Sequence, residues 1–141
     1  MSTNNLISFY DKKVKKDQEN KEKLYDMIID FYIPYSEIPF WIKVIKFFPM
    51  VNIEAFAGDE QKIAEVKEFY DTFTTDIEMY EDFGQTLEKF RFLFSYFELF
   101  VLHKVLVQIK ISNYDNSEEL AHYLSLLQEQ LNKNTDLAKL F

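Results

Sequence analysis

Residues 85–112 read QTLEKFRFLFSYFELFVLHKVLVQIKIS, and the fold turns on how this stretch is taken. Followed at helical spacing, Phe83, Leu87, Phe90, Phe94, Phe97 and Val101 fall on one stripe. Leu93, Phe100 and Val107 make a second stripe, and Leu99, Leu102 and Leu106 a third. A helix that is apolar on every side belongs in an interior, so the pattern predicts one long buried helix with the others packed around it. The same stretch is the best candidate for a membrane span. Thirteen Leu, Ile, Phe and Val residues between 92 and 111 favour insertion by about 4–8 kcal/mol, whereas Glu98 and Lys104 oppose it by about 5–7 kcal/mol. The terms cancel, so a core helix is expected and no membrane contact.

Working outward, residues 59–82 carry the clearest helical rhythm. Ile63, Val66, Tyr70, Phe73, Ile77 and Tyr80 alternate steps of three and four, the seam of a helix bundle, and Asp59 after Gly58 is a suitable cap. Residues 5–32 place Leu6, Ile7, Tyr10, Val14, Leu24, Ile28 and Phe31 at similar spacings, which predicts a first helix ended by Pro34. Between Ser36 and Pro49, residues 37–48 read as a short helix with Ser36 as its cap. A strand is the competing reading, because β-branched and aromatic residues dominate. A turn at 113–116 leads to a further helix over 117–132 with Leu120, Tyr123, Leu124, Leu127 and Leu131 inward, and Asn134 to Asp136 can cap a last turn over 137–141. The expectation is an all-α fold: a bundle of four to six helices around the apolar segment 85–112, with residues 1–141 forming one domain.

Composition agrees with that class. A chain of 141 residues buries roughly 70% of its unfolded surface, enough for a core without cross-links, and with no cysteine it has none. The absence of cysteine also removes thiolate metal sites and thiol nucleophiles. The first ten residues, MSTNNLISFY, lack the basic stretch and apolar run of a signal peptide, so a cytoplasmic setting is expected.

No catalytic constellation emerges. Glu119 and His122 match half of the Glu-x-x-His pairing of di-iron helix bundles, but the other histidine, His103, has Phe100 where the second glutamate belongs. The pairs Glu65/Glu68 and Glu78/Glu81 resemble magnesium-binding acidic pairs of helical pyrophosphatases only in spacing, and both fall on one helix. With two glycines in the chain there is no phosphate loop, and no serine has a nucleophile context. No catalytic residue, metal ligand or cofactor is therefore assigned. Glu98, inside the most apolar run, needs either a partner from another helix or a raised pKa, unless its edge reaches solvent.

The charge is concentrated. From Glu54 to Asp82 ten acids face Lys62 and Lys67, a local charge of −8 that equals the charge of the whole chain. At 100° per residue Glu60, Glu68, Asp71, Glu78 and Asp82 lie opposite the Ile63–Tyr80 seam, forming a ridge about 33 Å long. Such a ridge attracts a basic protein and repels nucleic acid. Fifteen Phe, nine Tyr and one Trp are the second oddity, and Phe40, Trp41, Phe47 and Phe48 form a candidate exposed cluster for a partner or a dimer seam. The functional expectation is a non-enzymatic protein-binding module whose acidic face engages a basic partner. Small inhibitors, immunity proteins and antitoxins of bacteria or phages have this size and charge. A structural subunit or homo-oligomer, a metal-dependent helical hydrolase, and a membrane-peripheral protein that binds through the Trp41 cluster are the alternatives.

Overall fold

The computed structural model describes residues 23–54, 58–83 and 88–138. The order is a helical turn at 23–26, β1 (Ile28–Pro34), α1 (Ile38–Phe47), α2 (Glu60–Phe83), β2 (Lys89–Ser95), α3 (Tyr96–Ile111), α4 (Glu118–Asn132) and a short α5 (Thr135–Ala138). Short 3-10 turns at Tyr35–Glu37 and Phe48–Met50 flank α1. The fold is therefore mainly helical but not an all-α bundle, because β1 and β2 pair as an antiparallel two-stranded sheet.

The stretch 85–112 is where the helical expectation fails. Residues 89–95 alternate as Lys-Phe-Arg-Phe-Leu-Phe-Ser, and only an extended chain puts Phe90, Phe92 and Phe94 on one side. All three are buried while Lys89, Arg91 and Leu93 are exposed. Ser95 then starts α3 with a capping box: its hydroxyl accepts from Glu98 N–H at 3.1 Å, and the Glu98 carboxylate accepts from Ser95 N–H at 2.8 Å. A helix running through this point would have no use for either bond. One apolar helix over 85–112 is thus replaced by a strand and a sixteen-residue helix.

The expected first helix is corrected for the same reason. Its residues 28–34, Ile-Ile-Asp-Phe-Tyr-Ile-Pro, form β1, with Phe31 and Ile33 buried and Asp30 and Tyr32 exposed. Residues 5–22 of that expectation lie outside the described residues.

Elsewhere the spacings hold. Along α2, Val66, Phe73 and Ile77 are fully buried, and Ile63, Tyr70 and Tyr80 are half-buried. Asp59 caps α2 by accepting from Lys62 N–H at 2.8 Å, and Gly58, at φ +81°, supplies the left-handed backbone that turns the chain into it. Helix α1 begins at Ile38 with no side-chain cap, so Ser36 does not serve as expected and sits in the preceding 3-10 turn. Ser117 caps α4 and Asn134 caps α5.

One aromatic core joins these elements. The inner face of β2 lies along α2, with Tyr80 stacked on Phe90 at 4.0 Å, Phe73 edge-on to Phe92 at 5.7 Å, and Phe69 edge-on to Phe94 at 5.5 Å. The inner face of β1 meets α1 and α4 through Phe31, whose ring lies 5.8 Å from Trp41 and 5.7 Å from Tyr123. Helix α3 packs along α4 and buries nine of its residues, from Tyr96 to Ile109. Among the described residues, no helix is long and apolar enough to cross a membrane.

Candidate protein-binding surface

The aromatic cluster is not on the surface. Trp41 is 0% exposed, Phe48 1%, Phe40 7% and Phe47 8%. Trp41 sits at a junction of α1, α2, β1 and α4, with rings of Phe40, Phe73, Phe31 and Tyr123 around it at 4.9–5.8 Å. These side chains fill the space where α1 meets β1, α2 and α4. They close the core rather than offer it to a partner, which corrects the expected exposed patch. Beside them the Tyr123 hydroxyl donates to the Glu37 carboxylate, and burial together with that bond raises the Tyr123 pKa.

The acidic ridge is where the helical geometry put it. Glu60, Glu68, Asp71, Glu78 and Asp82 are all exposed on α2, opposite the buried Val66, Phe73 and Ile77. Met79, 46% exposed, and the exposed Thr75 lie within or beside them. Among the described residues none of the five acids joins an ion pair. Lys62, one of the two bases on the helix, pairs with Asp59 at 4.0 Å, outside the ridge. Like charges at helical spacing repel, and the cost is retained here. Acids near the start of α2 but outside the ridge act on Tyr25, whose phenol is pushed up first by burial and then by Asp59 and Glu65.

Between α2 and β2 the surface is indented. A cleft of about 310 Å³ has Thr72 and Asp76 on one wall and residues 91–94 of β2 on the other. Through Phe69, Thr72 and Glu98 it continues into a second cleft of about 190 Å³ that reaches Glu65 and Glu68. Burial pushes up the carboxyls of both Asp76 and Glu98. For Glu98 the bonds from Ser95 pull the other way, while the charges of Glu65 and Glu68 add to the rise. The partner that Glu98 needed is therefore local, at the start of its own helix, and the S-x-x-E spacing of Ser95 and Glu98 was the signal for it.

The remaining titratable candidates do not converge. Glu119 and His122 are exposed on α4, and His103 is half-buried on α3 with its pKa lowered by burial and then by Lys104. Among the described residues, no three His, Asp or Glu side chains are grouped so as to hold a metal ion. No family model matches the chain, and no curated protein or solved structure matches it either.

Proposed function

We propose that this chain is a non-enzymatic protein-binding module, and that the acidic face of α2 recognises a basic protein. The observation that carries the reading is the division of labour on α2. One side is committed to the aromatic core, and the other presents Glu60, Glu68, Asp71, Glu78 and Asp82 to solvent with no ion-pair partner among the described residues. Such a surface accelerates encounter with a positive patch and selects against negative ones, nucleic acid included. A small inhibitor or immunity-type protein is the class that fits, and the cysteine-free sequence suits a cytoplasmic setting.

The test is affinity purification from native extract with quantitative mass spectrometry. It compares the wild type, the ridge variant Glu68→Lys/Asp71→Lys/Glu78→Lys, and a control, Glu118→Lys/Glu119→Lys/Glu129→Lys, that carries the same charge change on α4. A basic protein should be recovered by the wild type and the control and lost by the ridge variant. Equal recovery by all three refutes the reading.

A further inference from the structure

Among the described residues no strand pairs with the second edge of β2, and the ladder shows which atoms occupy it. Tyr96 N–H donates to the Met27 carbonyl at 3.1 Å, and Tyr35 N–H donates to the Glu88 carbonyl at 2.9 Å. Both bonds continue the register that pairs Ile28 with Ser95 and Pro34 with Lys89. In an antiparallel pair, residues alternate between those bonded to the partner strand and those whose N–H and C=O point away. The bonded set on β2 is therefore Phe90, Phe92 and Phe94, and the outward set is Lys89, Arg91, Leu93 and Ser95. Ser95 agrees with this parity, because its N–H turns away from β1 to the Glu98 carboxylate.

Among the described residues β2 has β1 as its one strand neighbour. The cleft against α2 is lined by four consecutive β2 residues, 91–94, and by none of β1. A cavity that touches successive residues of both faces runs along a strand edge rather than over a face. The outward N–H and C=O groups of Arg91 and Leu93 thus meet the cleft.

The cleft's chemistry selects what could pair there. Its carboxylates are Asp76 and Glu98, with Glu65 and Glu68 where it continues. Its one base among the lining residues, Arg91, is held by Asp30 on the exposed face of the sheet at 2.7 Å and 2.8 Å. The walls between the charges are rings of Phe69, Phe73, Phe92 and Phe94, against which the methylene stem of a lysine or arginine packs. On the exposed face, Leu93 at 56% offers an apolar neighbour for the residue of an added strand that lies beside it.

We infer that β2 accepts an extended basic segment of a partner protein as a third strand, with alternate lysine or arginine side chains turned into the acidic cleft and apolar ones beside Leu93. Strand addition supplies affinity through main-chain bonds and specificity through alternate side chains. This inference rests on the basic-partner reading and names how that partner is held.

The probe is an acetylated, amidated hexapeptide of alternating lysine and valine, titrated into the full chain and followed by amide NMR. Arg91 and Leu93 amides should shift and become protected from hydrogen exchange. Of two peptides N-methylated at either the lysine or the valine amides, one should lose binding at least tenfold and the other should keep it, since a strand pairs through one edge. A glutamate–valine peptide should not bind. Leu93→Pro, which removes an outward N–H, should weaken the peptide tenfold or more, with circular dichroism checking the fold. No binding, equal binding of both methylated peptides, or shifts confined to Glu60, Asp71 and Glu78 overturns strand addition. Loss of the natural partner on ridge reversal is measured separately, so either claim can fail alone.

Discussion

If the ridge on α2 is uncompensated repulsion, reversing two of its charges should stabilise the protein. Glu68 has Glu65 and Asp71 at three residues' distance, and Glu78 has Glu81 and Asp82 at three and four. Neither position has a lysine or arginine at those spacings. The double variant Glu68→Lys/Glu78→Lys therefore turns four like-charged pairs into four opposite ones. Each such pair on a solvated helix is worth about 0.2–0.5 kcal/mol in either sense, so the swing is about 0.4 kcal/mol per pair at the low end, or about 1.6 kcal/mol in all. With an unfolding entropy of about 2.1 cal/mol/K per residue, a chain of 141 residues gains about 5 °C in Tm. Calorimetry in 20 mM and 500 mM NaCl provides the assay. The gain should be present at low salt and largely screened at high salt, where charges more than a few ångströms apart no longer sense one another. A variant no more stable than the wild type at low salt, or one whose gain ignores salt, refutes the claim that these carboxylates stand uncompensated.

Further outcomes follow from the core and from the junction of β2 with α3. Burial raises the carboxyls of Glu98 and Asp76, so between their ordinary and raised values the folded state binds more protons than the unfolded one. In a His103→Gln background, which removes the opposing effect of an imidazole whose pKa burial lowers, stability should then rise as pH falls from neutrality toward the ordinary carboxylate range near 4. Urea melts along that series should show the rise, and Glu98→Gln, which keeps an acceptor for Ser95 N–H, should shrink it; an unchanged slope contradicts the assignment. Ser95→Ala removes the acceptor for Glu98 N–H and should cost about 1 kcal/mol in the same melts, whereas no loss would mean that the capping box is idle. Trp41→Ala empties the junction of four elements and should cost about 3–5 kcal/mol. The fluorescence of this sole tryptophan should resist iodide quenching, and quenching as free as that of an exposed indole contradicts its burial.

How far these features were legible depended on which period a segment carries. The α2 seam is long, regular and bounded by Gly58 and Asp59, so both its buried side and its acidic side could be drawn from spacing alone. Residues 85–112 misled because Phe, Leu and Val are dense enough to satisfy a helical stripe whichever way the chain runs. The polar punctuation was the better guide: Lys89, Arg91 and Ser95 alternate with phenylalanines, and Ser95 with Glu98 marks a fresh helix start. Burial of Trp41 was beyond local pattern, since it depends on rings from β1, α2 and α4 converging on it. The cleft was invisible for the same reason. Its walls are separated in sequence, and its β2 wall is in place only once β1 and β2 are paired.

The central claim is that the position of the acidic residues, rather than the net charge, governs recognition. Its most direct test is the association rate of the purified partner, measured by stopped flow at low and high ionic strength with the wild type, the ridge variant and the α4 control. The ridge variant should associate about tenfold or more slowly at low salt, with the gap closing as salt rises, while the control stays close to the wild type. If the two charge-matched variants slow association equally, or if neither does, recognition does not reside on α2.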